Sequence, residues 1–181
     1  ASLAIQGASA ISLIDFEANK EGLGAQVTFE GFADGPVAPF AIAIPGGATL
    51  SYNGATIVQD NGNGSGAVPF PSTGAPDDYL SIKTSGSATF DFASAQANLF
   101  AFQWGSIDTY NQIDFYLSNV LVGGFSGADV VSNPVAANGN QGFNGSAYVT
   151  FGGGFFDKVI LTSSGKSFEI DNLSAMSVPD S

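Results

Sequence analysis

Apolar residues recur at every second position along most of the chain, and this alternation limits the possible folds more than any other feature of the sequence. The clearest runs are FAFQW at residues 100–104 and IDFYL at residues 113–117. Successive side chains of a β-strand point to opposite faces of the sheet, so a period of two is typical of strands with one buried face. No stretch of ten residues keeps the period of a helix. The alternation therefore predicts an all-β chain.

Short signals rich in Asn and Gly separate the alternating runs and predict turns. Asn-Gly pairs accommodate the positive φ angles that tight hairpins require. Many short strands divided by such signals are typical of antiparallel sandwiches and jelly rolls. We therefore predict an antiparallel β-sandwich of the jelly-roll type, with an N-terminal extension strand. The predicted turns lie at Asn53-Gly54, Asn61-Gly62, Asn119, Gly123-Gly124, Asn138-Gly139, Asn144-Gly145, residues 152–154 and Ser164-Gly165.

The composition argues against several classes of function. The 181 residues include no Cys, no His and no Arg, and the net charge is −12. Nucleic-acid binding depends on Lys and Arg that neutralise phosphates, so this balance argues against it. Without His or Cys the usual zinc ligands and thiol nucleophiles are missing, and we predict that the protein is not an enzyme. Calcium takes oxygen ligands and suits an acidic chain. No apolar stretch is long enough to span a membrane.

The N-terminal segment is apolar, alternating and nearly uncharged, and it divides the predicted organisation into an extension over residues 1–26 and a sandwich over residues 27–181. An apolar extension must be covered to stay ordered. It can pack on its own sandwich as an edge strand, or it can complete the sheet of a neighbouring subunit by strand addition. In the second case the predicted subunit contacts are Ile11, Leu13, Ile14 and Phe16.

Three runs change parity, which is the pattern that an inserted residue of a β-bulge produces. One change falls between Leu13 and Ile14, one near Glu30, and one near Asp171. A bulge redirects side chains and can free backbone carbonyl groups. We therefore predict a structural calcium site formed by Glu30, Asp171 and the further carboxylate of Asp108. The alternative is that these acidic residues lie on solvent faces at strand ends.

The string WGSIDTYN, residues 104–111, interrupts two strand patterns and has three interpretations. It can form a hydrogen-bonded corner, with Gly105 in the turn. It can bind a sugar, with Trp104 or Tyr110 as a stacking platform and Asp108 and Asn111 as polar partners. It can also supply the carboxylate of Asp108 to calcium. Trp104 has the parity of Phe100 and Phe102, which favours the corner.

Three stretches together resemble the PEP-CTERM, or exosortase-sorted, surface proteins of Gram-negative bacteria. They are VTFEGFADG at residues 27–35, FQWGSIDTYNQIDFY at residues 102–116 and FEIDNLSA at residues 168–175. The resemblance implies a β-sandwich domain that is secreted to the extracellular space or the cell surface. The sequence departs from the family at residues 178–181, where Val-Pro-Asp-Ser stands in place of the Val-Pro-Glu-Pro that begins the sorting signal.

These observations predict a non-enzymatic, extracellular structural protein that self-associates into filaments, with the N-terminal strand donated to the next subunit. The alternative is a calcium-stabilised module or adhesin that binds a polysaccharide. Both hypotheses expect no nucleic acid and no membrane span. They differ in the role of the N-terminal segment, which is a subunit contact in the first and an ordinary edge strand in the second.

Overall fold

The computed structural model describes residues 10–18, 35–36, 40–42, 48–52, 56–59, 79–93, 95–136 and 146–177. Among them, nearly all regular structure is strand, and the strands form two antiparallel sheets that pack face to face. This confirms the predicted all-β sandwich and its N-terminal strand. No helix in the described ranges has the length and apolar character that crossing a bilayer requires.

The strands are numbered in chain order. One sheet has the order β1-β11-β8-β13-β6-β5-β2, and the other has the order β10-β9-β12-β7-β4-β3. Neighbours in each sheet are antiparallel and mostly far apart in sequence. The strands span β1 Ser12–Ala18, β2 Gly35–Pro36, β3 Phe40–Ile42, β4 Ala48–Tyr52, β5 Thr56–Gln59, β6 Tyr79–Lys83, β7 Gly86–Asp91, β8 Ala97–Gly105, β9 Asn111–Leu117, β10 Val120–Ser126, β11 Ser146–Phe156, β12 Lys158–Ser163 and β13 Ser167–Ser177.

Aromatic rings fill the space between the sheets. Phe100 on β8 of the first sheet contacts Phe90 and Phe115, which lie on the second sheet, with ring centroids 5.4 and 6.2 Å apart. Both pairs have the edge-to-face geometry that aromatic rings prefer. These residues have the parity that the sequence assigns to a buried face. The largest fully buried side chains are Tyr79, Phe90, Phe92, Phe100, Phe102, Trp104, Phe115, Phe151, Phe156 and Phe168.

Of the predicted turns that lie in the described residues, two are confirmed and two are wrong. Asn119 lies in the turn between β9 and β10 with a φ of 64°, and Ser164-Gly165 lies between β12 and β13, so these two are confirmed. Gly123-Gly124 lies inside β10, and residues 152–154 lie inside β11, so these two predictions are wrong. At Gly123 the reason is packing, because a Cβ there would lie 2.7 Å from the Cβ of Ile11. The other predicted turns lie outside the described residues.

A short helix α1, Gly127–Ser132, follows β10, and a 3₁₀ turn, Pro134–Ala136, follows the helix. The helix begins with a capping box in which the side chains of Ser126 and Asp129 each accept a bond from the backbone N–H of the other. Such reciprocal bonds satisfy two N–H groups that a helix start leaves open. Six residues are too few to display a helical period, which is why the alternation did not reveal this helix.

Candidate functional site

Strand β1 closes one side of the sandwich by meeting the edges of both sheets. From Ser12 to Ala18 it pairs with β11 and forms the edge of the seven-stranded sheet. Just before it, the backbone N–H of Ile11 donates to the carbonyl of Val122 on β10, 3.2 Å away, and β10 is an edge of the six-stranded sheet. The N-terminal segment therefore bridges an edge of each sheet, and such edges carry backbone groups that need a partner.

Three of the four predicted subunit contacts lie in the core of their own chain. Ile11, Leu13 and Phe16 are 5, 4 and 9% exposed. The structure thus shows the N-terminal strand packed within the same chain, as in the edge-strand alternative. The predicted domain boundary at residue 26 lies outside the described residues.

The fourth predicted contact, Ile14, lies at a bulge. The pairing register of β1 shifts between Leu13 and Asp15, which confirms the predicted change of parity. The bulge turns Leu13 inward and leaves Ile14 47% exposed, with its side chain beside Gly152. In the register of the sheet, Gly152 pairs with Leu99, and Leu99 pairs with Met176, which is 56% exposed. We call the three residues Ile14, Leu99 and Met176 the apolar row.

At the opposite end of β8, Trp104 and Asn111 form a buried corner. Trp104 is 0% exposed and stacks on Phe168 with ring centroids 4.6 Å apart, so neither face of its indole is accessible to a sugar. The Asn111 side chain supplies hydrogen-bond partners to two buried groups. Its amide oxygen accepts from Trp104 Nε1 at 3.3 Å, and its amide nitrogen donates to the Ser167 carbonyl at 3.0 Å. The turn residue with positive φ is Ser106, at 44°, and not Gly105 as the sequence suggested.

Tyr110 and Asp108 form the outer part of this corner. The Tyr110 hydroxyl donates to Asp108 Oδ2 at 2.7 Å. Partial burial, this hydrogen bond and the negative charges of Asp108 and Glu169 raise the pKa of Tyr110 to about 12. The Tyr110 ring lies against Gly165, where an added Cβ would collide with the ring. The side chain is therefore held at its hydroxyl and along one ring face.

Another bulge lies in β13, in the interior of the seven-stranded sheet. The register shifts between Asp171 and Ser174, and Asn172 has a φ of 48°, which confirms the predicted change of parity at this point. Asn172 is buried, and its amide donates to Gln103 Oε1 at 2.6 Å. Left-handed φ is tolerated by Asn better than by most residues, which explains the residue type at this position.

Buried polar groups surround this bulge on the face of the sheet that is turned away from the aromatic core. Glu169 is buried and accepts a hydrogen bond from the Ser167 hydroxyl. On the neighbouring strand β6, burial lowers the pKa of Lys83, and the charge of Glu169 partly opposes that shift. In the described ranges, no three acidic side chains approach closely enough to hold a metal ion. Asp108 and Asp171 therefore belong to no such group there, and the third predicted ligand, Glu30, lies outside the described residues.

An open cleft of about 580 Å³ lies beside the corner, where β7 and β9 begin and β12 ends. Thr162 on β12 pairs with Ser87 on β7 and with Gln112 on β9, so these three side chains share the outer face of the sheet. The wall also includes Gly86, Tyr110 and Asn111, and none of the lining residues is charged. The hydroxyl residues of the lining are Ser85, Ser87, Thr109, Thr162, Ser163 and Ser164.

Tyr110 and Asn111, which the sequence suggested as ligand contacts, line this cleft, whereas the other lining residues were not predicted. Asn111 supports the corner from inside, whereas Tyr110 contributes to the cleft wall. Ser87, Gln112 and Thr162 belong to three segments that are distant in sequence. Only the strand pairing brings them together, and no local signal in the sequence marks them as a group.

Comparisons with known proteins define no family for the chain. No family model matches it, and no curated protein matches it. Among solved structures, the enzymatically active domain of tailspike protein 4 from bacteriophage CBA120 aligns with a TM-score of 0.29 and 16% sequence identity. The alignment covers 72% of this chain and 19% of the tailspike chain.

Proposed function

We propose that the protein is a non-enzymatic, extracellular structural subunit that self-associates by exchange of its N-terminal strand. The observation that carries the proposal is the position of β1, which covers the edges of both sheets and inserts Ile11, Leu13 and Phe16 into the core. A segment of this kind is essential to the closed sandwich, because its side chains fill part of the core. The same pairing and the same pockets are available when the strand comes from another copy.

Exchange of an identical element between copies is a low-cost route to assembly because the contacts within one chain and between two chains are the same. The equilibrium between closed monomers and strand-exchanged assemblies is then set by the protein concentration and by the length of the segment that connects β1 to the rest of the sandwich. If two chains exchange strands reciprocally, the product is a closed dimer. If each chain passes its strand to the next, the contact is head to tail and the product is an open filament.

The apolar row lies beside β1 on the outer face of the sheet and supports the same proposal. Ile14 and Met176 are both about half exposed. Met176 on β13 pairs with Leu99 on β8, and the Ile14 side chain lies beside Gly152 on β11, which is the other register partner of Leu99. Contiguous exposed apolar side chains on a soluble protein commonly mark contacts between molecules. A chain of net charge −12 repels its copies, so a row without charged residues is where two copies meet with the least repulsion.

The remaining parts of the proposal rest on the sequence. The chain has no His, Cys or Arg from which a general acid, a thiol nucleophile or an oxyanion clamp could be built. The resemblance to exosortase-sorted proteins supports a place outside the cell, at the surface of a Gram-negative bacterium.

Exchange of β1 can be tested with disulfide cross-links, because the native chain contains no Cys. Asp15 on β1 and Thr150 on β11 are register partners, and opposed residues of an antiparallel pair lie about 4.5–5.5 Å apart at Cα, within disulfide range. Chains carrying only Asp15→Cys are mixed with chains carrying only Thr150→Cys, unfolded, refolded together and oxidised. We expect a covalent heterodimer, and filaments of the native chain by electron microscopy.

The matched control pairs Asp15→Cys with Thr89→Cys, since Thr89 lies on β7 of the other sheet and should give no defined cross-link. A chain carrying both Asp15→Cys and Thr150→Cys reports the pairing within one molecule. If only that chain cross-links, and the mixed single variants stay monomeric at every concentration, strand exchange is wrong.

A further inference from the structure

We propose that the cleft at the ends of β7, β9 and β12 binds an uncharged carbohydrate. This is a second activity of the same surface protein, and it does not depend on exchange of β1, which closes the side of the sandwich at β10 and β11. The cleft is formed by three strands that are adjacent in the six-stranded sheet, with β12 between β9 and β7. It is therefore a property of the folded domain and not of one loop.

The chemistry of the wall points to a neutral, hydroxyl-rich ligand. Six of its residues are serine or threonine, two carry amides and one is a tyrosine, while no lining residue is charged. Such groups both donate and accept hydrogen bonds, as sugar hydroxyls do. An anionic polysaccharide would find no cation in this wall and would approach a protein of net charge −12. The composition thus favours a neutral glycan over an acidic one.

Several of these hydroxyl groups are available to a ligand. Within the described ranges, the side-chain hydroxyls of Ser85, Thr109, Thr162 and Ser164 make no hydrogen bond to another residue. By contrast, Ser163 is buried and its hydroxyl bonds inward to Asn111. The wall therefore divides into groups that hold the corner together and groups that point toward the space of the cleft.

The geometry of the three paired side chains supports a ligand that crosses the strands. Ser87, Thr162 and Gln112 stand on adjacent strands, about 4.8 Å from one to the next. That interval is comparable to the length of one sugar unit, so successive units of an oligosaccharide can meet successive polar side chains. Gln112 is held by a hydrogen bond from its amide to Asp114 Oδ1 at 2.8 Å.

Tyr110 supplies the apolar contact that sugar rings require. Its hydroxyl is fixed by Asp108, and one face of its ring is fixed against Gly165. A side chain that is already immobilised loses little entropy when a ligand packs on it. The interpretation of Tyr110 as a ligand contact thus differs from that of Trp104, whose ring is enclosed in the core.

The test is a titration of the isotope-labelled full chain with neutral hexasaccharides of glucose, galactose and mannose, followed by NMR chemical shifts. Uronic-acid oligomers of the same length serve as the anionic comparison. We expect shifts at Thr109, Gln112 and Thr162 with at least one neutral oligomer, weaker binding of the anionic oligomers, and no loss of affinity as salt is raised.

The Thr162→Val variant removes one hydroxyl and keeps the branched shape, and we expect affinity to fall about three- to tenfold, as for one lost hydrogen bond. Thr89→Val is the matched control, since Thr89 lies on the same outer face beside these side chains but outside the cleft, and it should leave affinity unchanged. Thr162→Arg, which fills the cleft, should abolish binding without lowering the melting temperature.

Three results would overturn the proposal. They are the absence of cleft shifts with every neutral oligomer at millimolar concentration, equal affinity in the Thr162→Val and native chains, and preference for the anionic oligomers. The cross-linking experiment uses residues on another side of the sandwich. A negative glycan titration therefore does not count against strand exchange, and a negative cross-linking result does not count against glycan binding in the cleft.

Discussion

The sandwich is closed in different ways at strand β1 and at the corner of residues 104–111. On one side, β1 closes it with apolar side chains and edge pairing, using residues far in sequence from β10 and β11. At the corner, local hydrogen bonds close it, in which Asn111 bonds Trp104 and Tyr110 bonds Asp108. The first closure is made by the segment that we propose to be exchanged between copies. The second is made by a segment embedded between two core strands.

The difference shows which part of a β-sandwich can serve in assembly. An edge strand contributes a row of side chains and a ladder of backbone bonds, both of which are transferable. A corner in the middle of the chain is covalently joined to β8 and β9 on either side, so its contacts cannot be exchanged without unfolding both strands. Assembly is therefore expected at β1, whereas ligand binding is expected beside the corner, where the geometry is held rigidly.

The largest expected effect is at β1. Leu13→Ala should lower the free energy of unfolding by about 2–5 kcal/mol, because it removes a buried leucine side chain and leaves a cavity. Ile14→Ala, one residue further on, should change it by less than about 1 kcal/mol, since Ile14 is half exposed. Urea unfolding of the monomer measures both. Equal losses in the two variants would show that the bulge does not divide inward from outward side chains as described.

The corner should respond nearly as strongly to the loss of Asn111. Asn111→Ala leaves the indole N–H of Trp104 and the carbonyl of Ser167 buried without their partner, and we expect a loss of about 2–3 kcal/mol. Gln112→Ala is the control, because the side chain of Gln112, next to Asn111 in the strand, points outward and should contribute little to stability. A loss at Asn111 no greater than at Gln112 would mean that the corner is not held together by this amide.

Two substitutions at Asn172, in the bulge of β13, separate the cost of backbone strain from the cost of a lost hydrogen bond. Asn172→Ala should lower stability by about 2 kcal/mol, since alanine at a φ of 48° is strained and the bond to Gln103 is lost. Asn172→Gly loses the same bond without the strain and should lower stability by about 1 kcal/mol less. Thermal or urea unfolding of the two variants gives the difference directly. The opposite order would contradict the assigned conformation of residue 172.

The smallest expected effect is the pH dependence that Tyr110 causes. Its pKa is about 12 in the folded protein, against an ordinary value of 10.0 for a tyrosine in water, so the unfolded chain loses this proton first as the pH rises. Stability from this group is fully present below pH 10.0 and is lost as the pH rises toward about 12. The Tyr110→Phe variant should show a flatter decline over that interval when unfolding is measured at several pH values. An unchanged slope would mean that the phenol is not held in its protonated form by its surroundings at the corner.

The bulges at Ile14 and at Asn172 could be predicted from the sequence, yet their consequences could not. The changes of parity at Ile14 and at Asn172 are visible in the order of apolar residues, because side chains alternate along every strand. What the bulge does depends on the place of the strand in the sheet. Ile14 lies on an edge strand and is exposed, whereas Asn172 lies between β8 and β6 and is buried.

Glycine was the least reliable signal, since it marks close packing as well as turns. Gly123 resembles a turn residue in the sequence, but it lies in a strand whose neighbour, Ile11, leaves no room for a Cβ. The contact joins residues that are distant in sequence, so nothing near Gly123 distinguishes the two roles. Asn119, whose φ of 64° is a local requirement, was predicted correctly.

The sequence by itself determined the class of fold, the inward face of each strong strand and the positions of the bulges at Ile14 and Asn172, because each follows from the local alternation of side chains. Only the tertiary structure decided that β1 bridges both sheet edges, that Trp104 is enclosed, and that Ser87, Gln112 and Thr162 share one cleft. These features depend on which strands become neighbours. That choice is made by packing between distant segments, and it leaves no trace in the local pattern.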